Sequence, residues 1–363
     1  MNDDLAVYIH WPFCKSKCPY CDFYKQVCRN VEQDKIIDEY LQNLAYYHEL
    51  TAERKIKSIF FGGGTPSLIK PQNIVRIIDF IAEKWSLRSD VEISLEANPN
   101  SEYPNMFAEL KNAGINRLSL GVQALNEADL RFLGRTHSLE QARKCIREIT
   151  KIFSNHSVDL IYARPQQKMG EWEEELYEIC SYGLKHISLY QLTIEEGTVF
   201  ARKNVQPLEE EKAAQMYEFT TDFLIQYGYN RYEVSNFAQP GFASKHNLTY
   251  WTGGDYIGIG TSAHGRLTLN NQFIATVYPR QHEILTPQER AEELIIMGLR
   301  LTEGINLKNF ASICGFELTD FVNQKHLENL LSDGFLIKND ENIYAGAKGM
   351  LVLNELIKQL CDR

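Results

Sequence analysis

At 363 residues the chain is long enough for a barrel-sized domain with a small appendage, and its formal net charge of -10 argues against nucleic acid or an anionic membrane as its main partner. No apolar run approaches the roughly 18 residues that a membrane span needs, so no integral membrane segment is expected. The opening MNDDLAVYI lacks the basic and apolar regions of a secretory signal, and eight cysteines without paired spacing fit a reducing cytoplasm.

In chain order, Val7 to Trp11 reads as a short strand that feeds a loop carrying Cys14, Cys18 and Cys21 in a C-x3-C-x2-C run. Residues 31 to 50 place Ile37, Tyr40, Leu41, Leu44 and Tyr47 at helical spacing. Further strand-like runs follow at Ser58 to Phe61, Val91 to Leu95, Arg117 to Val122, Val158 to Tyr162 and His186 to Leu192. Helical patterns at Gln72 to Trp85, Tyr103 to Ala113, Leu139 to Phe153 and Trp172 to Tyr182 alternate with them. Strand then helix, about six times, predicts an α/β fold: an open, partial (β/α)6 TIM-type barrel with right-handed crossovers. A long helix is expected from Pro207 to Tyr227, then an irregular stretch from Tyr229 to Arg280. From Glu289 onward the order is three helices (Glu289 to Leu301, Leu307 to Cys314, Leu318 to Ser332), a hairpin and a last helix. That order reads as a small winged-helix-like α+β domain, whose eight Lys/Arg against twelve Asp/Glu disfavour a duplex-reading role. The expected division is 1–230 for the core barrel, 231–285 for a connecting segment and 286–363 for the C-terminal domain.

Three thiolates on one loop can grip a metal cluster. A 4Fe4S cluster normally takes four cysteines, so three leave one iron open to an exogenous ligand. A closed zinc site using Cys28 as fourth ligand stays open on spacing alone, whereas a disulfide set is disfavoured by the odd number. In parallel α/β folds chemistry gathers at the C-terminal ends of strands. There the sequence places Gly62-Gly63-Gly64-Thr65-Pro66, whose free amides could meet a carboxylate, then Glu96, Gln123, Arg135 and Asp159. One such residue is often a cap; four successive units on the rim that carries the cysteines are hard to explain that way. In the later segment His246, Asn247, Tyr250 and Trp251 form H-N-x-x-Y-W, a histidine beside aromatics that would suit an axial ligand with a stacking wall for a flat macrocycle. The alternative is that His246 is a hydrogen-bonded structural residue and that Tyr250 and Trp251 close the open side of the barrel.

The C-x3-C-x2-C run with Tyr20 before its last cysteine resembles the signature of the radical S-adenosylmethionine (SAM) superfamily, and the whole pattern is similar to that family's coproporphyrinogen-oxidase-like branch. The resemblance implies a 4Fe4S cluster on Cys14, Cys18 and Cys21 whose open iron is chelated by SAM. It also implies that electron transfer cleaves the sulfonium to a 5'-deoxyadenosyl radical. Carried over by position, Tyr8, Tyr20, Gly63, Gly64, Thr65, Glu96, Gln123, Arg135 and Asp159 fall on the branch's SAM contacts, with Gly64 and Thr65 at the methionine end and Asp159 and Gln123 at the ribose. Thr193 would lie by the adenine.

Two features sort the relatives within the branch. Its true oxygen-independent coproporphyrinogen III oxidases end the loop in C-x2-C-x-C, whereas Phe23 stands at that last position here. H-N-x-x-Y-W resembles instead a heme-binding chaperone of the branch. The expectation is therefore a cytoplasmic heme chaperone that delivers heme to respiratory haemoproteins, with cluster and SAM as a structural or regulatory unit tied to homodimer formation. His246 is its first expected heme contact. The alternative is anaerobic decarboxylation of coproporphyrinogen III. A SAM-dependent methyltransferase would need a second SAM site, for which the sequence offers no residues.

Overall fold

A computed structural model describes residues 3–28, 30–99 and 105–362. Six parallel strands run side by side in sequence order: β1 (Asp4–Trp11), β2 (Lys55–Gly63), β3 (Ser86–Ala97), β4 (Arg117–Gln123), β5 (Asn155–Tyr162) and β6 (His186–Gln191). The helices between them are α1 (Gln33–Thr51), α2 (Pro71–Lys84), α3 (Met106–Asn112), α4 (Leu139–Ile152) and α5 (Met169–Ser181), and α6 (Glu210–Gln226) follows β6. The start expected for α3 at Tyr103 lies outside the described residues. The sheet stays open, as the six-unit count required.

Period-two alternation decides which way each strand faces. Leu5, Val7, Ile9 and Trp11 on β1, Ile93 and Leu95 on β3, and Leu118, Leu120 and Val122 on β4 join one apolar core with the helix faces. The alternate positions hold Glu92, Ser94 and Glu96, then Arg117 and Ser119, then Ser157 and Asp159, so the concave side of the sheet is polar. Tyr190 shows how deep that concavity is. It is 44 % exposed, yet desolvation, followed by Asp159, raises its phenol pKa well above the ordinary value.

The stretch from Tyr229 to Arg280 is not irregular. Asn230–Arg231 and β7 (Asn236–Ala238) extend the sheet antiparallel beyond β6. Helix α7 (Lys245–Trp251) follows, and β8 (Tyr256–Ile259) pairs parallel with the outer edge of β1. Then β9 (His264–Leu269), β10 (Gln272–Val277) and β11 (Gln281–Leu285) continue outward as antiparallel strands. In YIGIG the run is four residues long and broken by glycine, which hides the strand. The glycine is required because a Cβ at Gly258 would sit 2.2 Å from the His264 carbonyl oxygen.

The C-terminal segment has its own apolar core. Helix α8 (Pro287–Gly298) leads to Leu307–Cys314, and Ile305–Asn306 makes a third strand beside the hairpin Leu336–Lys338 and Asn342–Ala345. The single helix expected over Leu318 to Ser332 is two, Leu318–Phe321 and Gln324–Ser332. The Asn323 side chain accepts from Lys325 N and His326 N and starts the second one. Among the described residues no helix is long and apolar enough to cross a membrane.

Helix α8 buckles the open sheet across its gap. On one flank Glu293 receives Arg266 Nε at 2.8 Å and Arg290 Nη1 at 2.9 Å, and Arg290 Nη2 donates to the Gly253 carbonyl at 2.6 Å. On the other, Leu301 bridges to Glu233 and Thr302 N donates to the Tyr232 carbonyl at 3.0 Å. Glu293→Ala leaves the buried Arg290 guanidinium short of a partner and should cost on the order of 1–3 kcal/mol in chemical denaturation. The same experiment on Glu209→Ala, which breaks an exposed pair with Lys212, should leave the midpoint unchanged.

Candidate functional site

The cysteine loop is set by main-chain hydrogen bonds. As β1 and β2 leave the sheet their pairing continues, with Gly64 N donating to the Trp11 carbonyl at 2.7 Å and Thr65 N to the Phe13 carbonyl at 3.0 Å. A Cβ on Gly64 would lie 2.8 Å from the Phe13 oxygen and 2.9 Å from the Trp11 oxygen, so only glycine permits this approach. The far end of the loop folds back: Gln26 N donates to the Pro12 carbonyl at 2.7 Å, Cys14 pairs with Val27, and Cys28 N donates to the Cys14 carbonyl at 3.1 Å.

Donors converge on the sulfurs. Arg135 Nη1 lies 3.4 Å from Cys18 Sγ and Thr65 Oγ1 lies 3.5 Å from Cys14 Sγ, an outer shell suited to thiolates. The buried Cys14 thiol has its pKa raised, first by desolvation. A single zinc ion needs its thiolates at about 2.3 Å from one point. Among the described residues no three His, Cys, Asp or Glu side chains are so arranged. A cube offers each thiolate a separate iron, which suits three cysteines on one loop with donors beside two of their sulfurs. Cys28 Sγ turns away to the Asn30 carbonyl at 3.0 Å.

The sequence-predicted residues of β2 to β5 lie below the loop, with Glu96 and Asp159 inside β3 and β5 rather than beyond their ends. Gly63 N donates to Glu96 Oε2 at 3.2 Å, and Arg135 donates to the Gly121 carbonyl at 2.8 Å and to Asn98 Oδ1. Asp159 takes Ser119 Oγ at 3.0 Å on each oxygen, and Gln123 ends β4 with a left-handed φ of 77°. Tyr20 packs beside Phe200, 6.4 Å between ring centroids, and desolvation raises its phenol pKa. Thr193 is exposed beyond β6. The amides of Gly63, Gly64 and Thr65 are all engaged within the protein, so the groups on this polar wall that fit a ligand carrying an ammonium, a carboxylate and vicinal hydroxyls are the two carboxyls and the Arg135 guanidinium.

Three residues absent from the sequence reading belong here. His10 joins Tyr8 to the loop, its Nδ1 3.0 Å from Tyr8 Oη and its Nε2 3.2 Å from the Tyr24 carbonyl. Asn98 links Arg135 to Thr65, and Ser119 holds Asp159. Alternation of polar with apolar residues along β1, β3 and β4 was the available signal for His10 and Ser119; Asn98, beyond a strand end, had none.

The H-N-x-x-Y-W residues lie elsewhere, and they do not form an open stacking wall. They make up helix α7, which crosses the concave side of β2 and β3 as a floor. Glu92 accepts from Lys245 N at 3.1 Å and His246 N at 3.2 Å. His246 is 3 % exposed, with Nδ1 2.9 Å from Ser58 Oγ and its ring stacked 5.0 Å from Phe60. Burial, then nearby Arg117, pushes its pKa down to about 3, so its imidazole is neutral. Asn247 N is capped by Ser244 Oγ, Tyr250 stands edge-on to His246, and Trp251 faces Arg300 of the C-terminal segment. His246 is too buried in this structure to stand as an exposed ligand, while Asn247, Tyr250 and Trp251 are half-buried.

Desolvation, then Asp159, pushes the Glu96 pKa up to about 8. An unfolded chain ionises this carboxyl near 4.3. Between those values the native state keeps a proton that the unfolded state has lost, so stability falls as pH rises from about 4.3 to about 8. Without SAM, Glu96→Gln and the parent should therefore melt alike near pH 4, and the variant a few degrees higher at pH 8 to 9. Equal melting temperatures across that range would refute the assignment.

Residues 8–178 match the radical SAM superfamily and residues 285–352 the HemN C-terminal domain. Over 98 % of its length the chain is 36 % identical to the mouse mitochondrial radical S-adenosyl methionine domain-containing protein 1, covering 87 % of it. It is 32 % identical to the heme chaperone HemW of Haemophilus influenzae, with 98 % and 97 % of the two chains aligned. The Lactococcus lactis HemW is 36 % identical, with 89 % and 91 % aligned. The fold is that of the Escherichia coli coproporphyrinogen III oxidase HemN, a radical SAM enzyme, with TM-score 0.83 at 21 % identity over 99 % of this chain and 91 % of that one. With its cysteines on the loop that leaves β1 and full-length relatives of this closeness, the chain belongs to the radical SAM superfamily, in the family of the heme chaperone HemW.

Proposed function

We propose that this protein is a heme chaperone with a radical SAM core: it binds heme beside a SAM-coordinated 4Fe4S cluster and passes the heme to respiratory haemoproteins. The observation that carries the reading is Phe23 at the position of the oxidases' extra cysteine, in a chain aligned end to end with HemW relatives. Cys14, Cys18 and Cys21 would hold the cluster. Tyr8, Tyr20, Gly63, Gly64, Thr65, Glu96, Gln123, Arg135 and Asp159 would hold SAM. When bound, the pair supplies a one-electron route at the open iron.

The chain's own residues position that unit. Arg135 and Thr65 donate toward cysteine sulfurs, the Gly63 amide holds Glu96 where it would meet the ligand's polar end, and α7 keeps the opposite end of the barrel closed. Residues 1–230 carry the cofactors, 231–285 complete the sheet and its floor, and 286–363 buckle it. Delivery takes place in the cytoplasm, and the working state is a homodimer.

Anaerobic reconstitution should give protein that carries iron and inorganic sulfide, takes up heme in titration and yields no protoporphyrinogen from coproporphyrinogen III with SAM and a reductant. Cys18→Ser should lose most of the iron and sulfide. Zinc in the loop, or protoporphyrinogen formed at catalytic rates, would overturn the reading.

A further inference from the structure

After β4 the chain makes a closed excursion that Gln123 opens and Arg135 ends, both of them residues of the SAM wall. Its middle is the short helix Glu127–Phe132, with Asn126 Oδ1 accepting from Asp129 N at 2.8 Å. Its end returns to its start, since Arg135 N donates to the Leu130 carbonyl and Arg135 Nη2 to the Gly121 carbonyl, each at 2.8 Å. It also lies against the cysteine loop, where a Cβ on Gly134 would sit 2.6 Å from Pro19 Cδ. Wherever this excursion stands, two ligand residues and one flank of the cysteine loop stand with it.

A buried ion network grips it from behind. Arg164, fully buried in the turn after β5, donates Nη2 to Glu175 Oε1 and holds Asp129 Oδ2 at 2.9 Å, while its Nη1 donates to the Ile161 carbonyl at 2.7 Å. Glu175, buried on α5, accepts from Leu125 N at 2.8 Å. One guanidinium therefore ties an outer helix and a strand end to the excursion at two points, Leu125 through Glu175 and Asp129 directly. The turn that presents it is strained, with Ala163 and Gln166 at left-handed φ values of 53° and 64°. Gln167 steadies it, its N donating to the Arg164 carbonyl at 3.0 Å and its Oε1 accepting from Arg164 N at 3.2 Å. A buried ion pair adds little net stability over an apolar pair of the same volume, so its use here lies in geometry. We infer that Arg164 is a positioning residue: with Glu175 and Asp129 it fixes Gln123 and Arg135 and so preorganises the SAM site without touching the ligand. The inference rests on the reading of this wall as a SAM site and adds what holds the wall in place. A lysine could not replace the planar fork, which meets several acceptors at once.

The test compares SAM affinity, melting temperature and amide hydrogen exchange in full-length protein reconstituted anaerobically. Arg164→Met combined with Glu175→Gln leaves no unpaired buried charge, because Asp129 is partly exposed and keeps Asn126. This variant should hold the parent's iron and sulfide and melt within a few degrees of it, yet bind SAM about tenfold more weakly. Without SAM, the amides of residues 124–135 should exchange about tenfold faster than in the parent. The change that SAM makes in the electron paramagnetic resonance spectrum of the reduced cluster should shrink. Arg164→Lys keeps the charge but not the fork, should lie between parent and double variant, and supplies the same comparison if the double variant does not fold. Glu293→Ala, destabilised through the α8 buckle, should bind SAM as the parent does. Arg164 variants with the parent's SAM affinity and exchange overturn the inference. So does an equal loss of SAM in Glu293→Ala, since the effect would then follow stability rather than position. Parent protein that binds no SAM overturns the SAM reading itself, and the exchange arm then decides alone whether Arg164 fixes the excursion.

Discussion

Two backbone hydrogen bonds, from Gly64 N to the Trp11 carbonyl and from Thr65 N to the Phe13 carbonyl, carry the pairing of the first two strands past the end of the sheet. The three cysteines inherit their place from that zipper. Main-chain geometry is stiff, so the sulfurs stand at a defined height over the strand ends before any metal arrives. The same glycine that allows the approach keeps a side chain out of the space between the loop and the second strand. Cluster site and amide turn are thus two faces of one junction.

Beneath that junction the barrel works as a polar vessel with a fixed floor. Carboxylates at its upper end are costly to bury: Glu96 and Asp159 both have raised pKa values, with desolvation the leading cause. At the lower end the same chemistry is satisfied internally, where Glu92 receives the backbone of α7 and His246 meets Ser58. Glu96 accepts from Gly63 N and Asp159 from Ser119, so both tiers are hydrogen-bonded and the upper one differs in carrying two desolvated carboxyls close together.

Much of this was legible in the sequence where the signal is local. Cysteine spacing, the Gly-rich turn and the apolar-polar alternation of the first six strands depend on neighbours a few residues apart, and those strands and the helices between them lie close to where the pattern put them. What escaped depends on distant partners. β8 is short and glycine-broken and becomes a strand only because β1 lies beside it. His246 reads as a ligand from its aromatic neighbours in sequence, yet its fate is set by Ser58, Phe60 and Glu92, all more than 150 residues away. The split at Asn323 turned on one capping side chain that a helical period cannot register.

The place of β8 bears on how the molecule comes into being. Synthesis delivers β1 first, and its neighbour β2 follows within about fifty residues, but the strand that covers its other flank starts only at Tyr256. Until then a nascent chain must carry an uncovered row of peptide groups along its earliest strand, and the cysteine loop hangs from that strand. Ribosome-bound chains are therefore the stage at which the outer edge of β1 is most open, although β2 already pins the cysteine loop.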